Sequence, residues 1–284
     1  MATADAANVN DHDFVDVHPE FHFRRVIVGG LPVAVLDRQQ TARLTLTAAL
    51  SRRRSGQPCL FFTTVNGQVV SLAASRPAVR RLFEAADLIS ADGMSVVFAS
   101  RLGRASGLPE RVATTDAFHD AARLACEMGA SFYFFGGDEE TNRLAVERVR
   151  ELYPRLAIVG RRSGYFDPRD EADIVDEINA AAPDVLWIGL GVPLQQEFVQ
   201  RYLRRLTNVG VAKSCGGLFD FLSGRNRRAP DWMQKSGMEW AYRAIQEPMR
   251  LGWRYLSTNP HAAYWLVRAR GPTSDGTIAT DASL

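Results

Sequence analysis

Val185-Leu186-Trp187-Ile188-Gly189-Leu190-Gly191-Val192-Pro193-Leu194-Gln195-Gln196 is an apolar run of strand length that ends in a glycine turn and passes into a polar, helix-forming segment. It is far short of the roughly 18 apolar residues that a membrane-spanning helix needs. The same strand–turn–helix pattern recurs on both sides of it. Residues 60–63, 87–90, 132–135, 157–160 and 209–213 read as further short strands rich in β-branched or aromatic residues. Residues 39–53, 68–75, 94–102, 115–128, 139–152, 171–181 and 196–205 read as helices. Short strands alternating with helices of ten or more residues predict an α/β fold with a mostly parallel, Rossmann-like sheet and helices on both faces. Ahead of it, residues 26–28 and 33–36 flank Gly29-Gly30-Leu31-Pro32 and predict an N-terminal β-hairpin.

After Gly224 the strand signals stop. Residues 232–245 and 249–256 read as helices separated by Pro248, which either kinks one helix or opens the next. The organisation expected is a disordered extension at 1–23, an α/β domain at 24–224, a helical appendage at 225–270 and a disordered tail at 271–284. The appendage carries four of the five tryptophans, and nine Lys/Arg against three Asp/Glu, in a chain whose formal net charge is only +2. The remainder is therefore slightly acidic, which argues against a general nucleic-acid binder. Arginine suits phosphate and tryptophan suits a membrane–water interface, so this segment predicts an anionic lipid or lipid-phosphate partner. No secretory signal or membrane-spanning run is seen, so membrane contact is expected to be peripheral and cytoplasmic. The three cysteines (Cys59, Cys126, Cys215) and five histidines are scattered and suggest neither a disulfide framework nor a metal site.

In open α/β sheets ligands bind beyond the carboxyl ends of the strands. The strand ends here run into Thr64-Val65-Asn66-Gly67, Ala91-Asp92-Gly93, Gly136-Gly137-Asp138, Gly189-x-Gly191 with Gln195, and Gly216-Gly217. Glycine at such hand-overs lets backbone N–H groups approach an anion, and several on one rim favour a phosphate-bearing ligand. A dinucleotide fingerprint is broken, since Leu194 stands where its third glycine would fall. Asp92 is either a general base or the cap of the helix beginning near Met94; spacing alone leaves both open. Thr64 and Asn66 are likewise caps or ligand contacts. Two readings that the rim and the appendage leave open are a Rossmann-type NAD- or S-adenosylmethionine-dependent enzyme and a non-catalytic membrane-binding module.

Taken in order, Thr64-x-Asn66, Ala91-Asp92-Gly93, Phe135-Gly136-Gly137, Gly189-Leu190-Gly191-Val192-Pro193-x-Gln195, Gly216-Gly217-x-Phe219-Asp220-Phe221, Arg228-Ala229-Pro230-x-Trp232 and Met238-Glu239-Trp240-x-x-Arg243-x-x-x-Glu247-Pro248-x-Arg250 resemble the bacterial WecG/TagA/CpsF glycosyltransferases. The resemblance covers about residues 26–255. It implies metal-independent, inverting transfer of a hexose-type sugar from a UDP-sugar to a polyprenyl-diphosphate-linked saccharide at the inner membrane surface, in cell-surface polysaccharide synthesis. The sugar would be N-acetylmannosamine, its uronic acid or glucose. No cofactor is implied, and homo-oligomerisation is left open. By the same resemblance Asp92 is the base, with Thr64 and Asn66 in its pocket. Gln195 lies near the donor sugar, beside the glycines Gly136, Gly137, Gly189, Gly191, Gly216 and Gly217. Arg243, Arg250 and Arg254 hold the acceptor diphosphate; on one continuous helix they would fall within roughly 40° of each other. One departure is Gln196, which stands where the family usually has glutamate, leaving any role of that carboxylate open.

Overall fold

The computed structural model describes residues 21–102, 107–246 and 248–278. The expected disorder at 1–20 and 279–284 falls outside them. In chain order the elements begin with β1 (Phe21–Val28), β2 (Leu31–Ala34), α1 (Arg38–Ser55), β3 (Leu60–Val65), α2 (Gly67–Ser75) and α3 (Pro77–Glu84). Then come β4 (Leu88–Ala91), α4 (Met94–Arg101), α5 (Thr114–Met128), β5 (Ser131–Gly136), α6 (Glu139–Leu152) and β6 (Ala157–Arg162). The chain continues with α7 (Glu171–Ala181), β7 (Val185–Gly189), α8 (Leu194–Tyr202), β8 (Val211–Ser214) and α9 (Leu218–Leu222). It closes with α10 (Asp231–Lys235), α11 (Glu239–Gln246), a π-helical turn Pro248–Gly252, α12 (Trp253–Arg268) and β9 (Arg270–Ile278).

Six strands form one sheet in the order β4-β3-β8-β7-β5-β6, and every neighbouring pair is parallel. Strand periodicity sorts the side chains between the two faces. On β5, Phe132 and Phe134 pack with Trp187, Phe62 and helices α1, α5 and α6. Their neighbours Tyr133 and Phe135 pack on the opposite face with Ile188, Phe198 and helices α7 and α8. Both faces are therefore apolar, which is why these strands read as continuous hydrophobic runs rather than alternating ones. A capping box at Asp37/Gln40 opens α1, and the Asp138 side chain caps α6.

The predicted hairpin is present, with Gly29-Gly30 as its turn, and it acquires a third strand. β9 pairs antiparallel with β1 from Phe21↔Ile278 to Val28↔Arg270. Two expectations are corrected by this sheet. Residues 21–23 belong to strand β1 rather than to a disordered extension, and residues 271–278 are a strand rather than a disordered tail. Their Gly, Ser and Thr content hides a segment whose backbone hydrogen bonds are supplied by β1.

The appendage also differs from its expected form. The helix foreseen over 232–245 is two helices, broken at Gly237, which sits at φ 78°. The π-helical turn at Pro248–Gly252 interrupts the α-helical register, so the angular count that put Arg243, Arg250 and Arg254 on one face does not carry through. Helix α12 returns to the body of the molecule, against α2 and α4, with Ala262 and Leu266 buried. Trp265 packs against the cluster formed by the antiparallel sheet and α2–α4 instead of facing outward. Its Nε1–H donates to His261 Nε2 (2.9 Å), so His261 Nδ1 holds the ring proton and donates to Ser71 Oγ (3.0 Å) on α2.

Candidate active site

A cleft of about 1290 Å³ opens at the carboxyl ends of β3, β4, β5, β7 and β8, roofed by α11 and α12. That exceeds the roughly 300–1000 Å³ of a single-ligand pocket and leaves room for two substrates. Thr64, Asn66, Asp92, Gly137, Gly189, Gly191, Gln195, Gly216, Gly217 and Arg243 line it. Gly136 stands behind the lining: a Cβ there would collide with the Gly189 backbone. A Cβ on Gly189 would in turn meet the Gly216 carbonyl at 2.9 Å. The ends of β5, β7 and β8 are thus pressed backbone to backbone, a close approach that only glycine permits. The side chains of Arg250 and Arg254 lie outside those described.

Most of the predicted polar residues have a definite local role, while Thr64 simply lines the cleft at the end of β3. The Asn66 carboxamide oxygen accepts from Val69 N–H (3.1 Å) and caps α2, at the cleft edge. Gln195, almost fully buried, accepts from Gly216 N–H (3.1 Å) and ties the Gly189–Gly191 turn to the Gly216–Gly217 turn. Gln196 is fully buried and faces away from the cleft; its Nε2 donates to Thr63 Oγ1 (3.2 Å), which pairs with Ser214 Oγ (2.7 Å). The Arg243 guanidinium lies 5.3 Å from the Phe221 ring centroid, and its Nη2 would be 3.7 Å from a Cβ on Gly217. This arginine therefore overhangs the Gly216-Gly217 turn. Helices α4 and α8 both begin at the cleft, with no side-chain hydrogen bond at their caps. Their N-termini add positive potential to the floor.

Asp92 does not cap α4, whose N-cap is Gly93. Its carboxylate instead accepts from Thr114 Oγ1 (2.9 Å) and Thr114 N–H (3.2 Å), at the start of α5. Arg111 Nε–H donates to the Asp92 carbonyl (3.1 Å), and Arg111 Nη2 stands 3.7 Å from Asp92 Oδ1. Burial pushes the Asp92 carboxyl above the usual carboxylate range; Arg111 and the Thr114 hydrogen bonds pull the other way, and the nearby Glu239 adds to the rise. An acid so placed, 21% exposed, holds a proton more readily than a surface aspartate.

Four functional candidates escaped sequence reading. Arg111 and Thr114 come from the connection after α4 and the start of α5, where no strand end marks them. Glu239, the acid of the Met238-Glu239-Trp240 motif, reaches back from α11 to Arg111 Nη1 (2.6 Å). Lys213 on β8 is 2% exposed, its Nζ has no hydrogen-bond partner among the described residues, and it lies 5.8 Å and 6.0 Å from the Phe62 and Trp187 ring centroids. Burial draws its ammonium down to about 8, while Cys215 and Asp92 pull it back up. A lysine in an apolar-looking strand reads from sequence as an edge residue, and only the sheet order makes it central.

Comparison with known proteins gives the same outline. The model of the glycosyl transferase WecG/TagA/CpsF family matches residues 26–275. A protein of Bacillus spizizenii strain W23 named N-acetylglucosaminyldiphosphoundecaprenol N-acetyl-beta-D-mannosaminyltransferase is 32% identical over 200 residues, 70% of this chain and 76% of the relative. A protein of the same name from Bacillus subtilis strain 168 is 30% identical over 206 residues, 72% of this chain and 78% of the relative.

Proposed function

This chain belongs to the WecG/TagA/CpsF glycosyltransferase family, and from that membership we propose that it moves a hexose-type sugar from a UDP-sugar to a polyprenyl-diphosphate-linked amino sugar, with inversion. The names of its relatives favour N-acetylmannosamine as the sugar and a diphosphoundecaprenol-linked N-acetylglucosamine as the acceptor. The observation that carries the reading is Asp92: a carboxylate of raised proton affinity on the rim of a two-substrate cleft whose floor is built from glycine turns.

In the proposed reaction the acceptor hydroxyl oxygen attacks the anomeric carbon of the donor. The bond from that carbon to the diphosphate oxygen breaks on the opposite face, so the configuration inverts. The hydroxyl proton passes to the Asp92 carboxylate, and the bonding electron pair departs with the nucleotide diphosphate. Thr114 fixes the carboxylate through two hydrogen bonds. Among the described residues no group of three or more His, Cys, Asp or Glu is placed to hold a metal ion. In this reading Arg243 and the N-termini of α4 and α8 meet the developing negative charge, the work a divalent cation would otherwise do. The enzyme acts as a peripheral protein at the cytoplasmic membrane face. Ile245 and Met249, 76% and 95% exposed, suit contact with lipid, and among the described residues no helix is long and apolar enough to cross a membrane.

The test is a screen of UDP-N-acetylmannosamine, its uronic acid and UDP-glucose against a short-chain lipid-diphosphate N-acetylglucosamine, with EDTA present and the product linkage read by NMR. Transfer of N-acetylmannosamine in β-linkage is expected; retention of configuration, or abolition by EDTA, overturns the mechanism. Asp92→Asn should fold and bind UDP yet lose about 10²–10⁴-fold in turnover. Wild-type turnover in that variant removes Asp92 from the chemistry.

A further inference from the structure

Asp92 stands at one end of a chain of alternating charges that crosses from the α/β domain into the appendage. Arg111 presents three nitrogens to three oxygens. Nε–H donates to the Asp92 carbonyl (3.1 Å), Nη1 meets Glu239 Oε2 (2.6 Å), and Nη2 is left 3.7 Å from Asp92 Oδ1. Glu239 also faces Arg228 (Nε to Oε1, 3.7 Å), whose Nη2 donates to Asp116 Oδ2 on α5 (3.1 Å). Arg111 and Glu239 are only 17% and 13% exposed, so solvent screens their contact weakly. Glu239 is the first residue of α11, and the turn before it is seated on α4: a Cβ at Gly237 would meet Met94 Cβ at 3.2 Å. Docking of the appendage therefore delivers one carboxylate to Arg111.

The distances give that delivery a consequence. An arginine beside a lone carboxylate closes to a bidentate pair at about 2.8 Å. Arg111 Nη2 is about 1 Å short of such a contact with Asp92 Oδ1, and the nearer carboxylate to this guanidinium is that of Glu239. A carboxylate locked by a bidentate arginine is a poor proton acceptor. Resting on the reading of Asp92 as the base, we propose that Glu239 is a positioning residue: it holds the Arg111 guanidinium away from the Asp92 carboxylate, so that the base is free only while α11 is docked. The appendage then does more than supply contacts to an acceptor; its docking licenses the proton transfer.

The charged groups that face Asp92 are Arg111 from the connection between α4 and α5, Glu239 from α11 and Lys213 from β8, with Arg228 and Asp116 one step further along the network. Removing the Glu239 charge leaves the others in place. In Glu239→Gln, kcat should fall about tenfold and the acid limb of the kcat/KM profile should move to lower pH, while the acceptor KM and sedimentation with anionic vesicles stay as in wild type. Glu239→Asp keeps the charge and should recover part of both. Glu239 as a merely structural prop for the appendage gives a different result: a raised acceptor KM, lost vesicle binding and an unmoved acid limb, in either variant. That pattern, or a wild-type profile in Glu239→Gln, overturns the proposal. With Asp92→Asn inactive, such a failure belongs to this inference alone; with Asp92→Asn active, it is the assignment of the base that has failed, and this inference with it.

Discussion

Lys213 is a buried cation that the fold holds at a cost. The unfolded chain carries it at its ordinary 10.5, and burial beneath the cleft draws it to about 8. Between those pH values the unfolded chain binds more protons than the folded one, so stability rises as pH increases from about 8 to about 10.5. Below about 8 the whole penalty is present, about 3 kcal/mol. Methionine fills similar space without the charge. Lys213→Met should therefore raise the urea-unfolding free energy at pH 7 by about 2–3 kcal/mol and abolish the rise above pH 8; an unchanged alkaline slope would show that another group carries it. Gln196 illustrates the opposite choice. It is buried against Thr63 and Ser214, on the α8 side of the sheet, away from Lys213. A glutamate there would be a buried carboxylate without a cation, and the neutral amide avoids that cost. The departure from the family pattern at this position thus concerns packing under the strand ends, since the side chain does not reach the cleft. Asp92 was legible as a candidate because it stands where an apolar strand ends in glycine. Its partners Thr114 and Arg111 were not, because a connection of a dozen residues brings them back to that strand end without a local signal.

At the scale of elements, α11 joins the two halves of the proposed function. Its first residue, Glu239, is pinned against Arg111, and its far end exposes Ile245, with Met249 just beyond in the π-helical turn. Trp240 lines the cleft while remaining half exposed. The tryptophans of this segment read as suited to a membrane interface, yet Trp265 is committed to the cluster under α12, through its packing and its bond to His261. Aromatic composition cannot distinguish a ring that meets lipid from one that closes a helix onto a core, because both environments are apolar at one edge and polar at the other. The prediction at this scale comes from exposure. Replacing both Ile245 and Met249 with serine removes two apolar side chains worth about 1.5–3 kcal/mol each when fully transferred from water. Sedimentation with vesicles of anionic phospholipid should weaken at least about tenfold, while turnover of a short-chain, water-soluble acceptor persists. Undiminished sedimentation would move the membrane contact to another face.

At the scale of the molecule, the six parallel strands and most of their helices were legible because each obeys a local rule: a strand-length apolar run, a glycine turn, then a helical period. The breaks in the appendage were not, because Gly237 and Pro248 act through packing and register rather than composition. The tail failed for a deeper reason. Residues 270–278 are polar, and only the partner strand β1, some 250 residues earlier, tells the chain to extend. Non-local pairing of this kind leaves no periodic trace in a short window. It also ties the segment expected as a helical appendage back to the α/β domain. The chain leaves the α/β domain there, but it returns through α12, which buries Ala262 and Leu266 beside α2 and α4, and through β9, which completes the antiparallel sheet. The cluster these elements cover includes Val26, Val28, Val69 and Val97 of the α/β domain. Cutting after Gly224 would expose that apolar surface and leave the outer edge of β1 unpaired. The truncated protein should therefore melt about 10 °C lower, on the basis of a few kcal/mol of lost burial, and should aggregate on heating where the full chain does not. Leu266→Ala, a cavity in the same interface, should lower the melting temperature in the same direction by a smaller amount. A truncated protein with an unchanged melting temperature would mean that α12 and β9 rest on the domain without stabilising it, and the appendage would be separable.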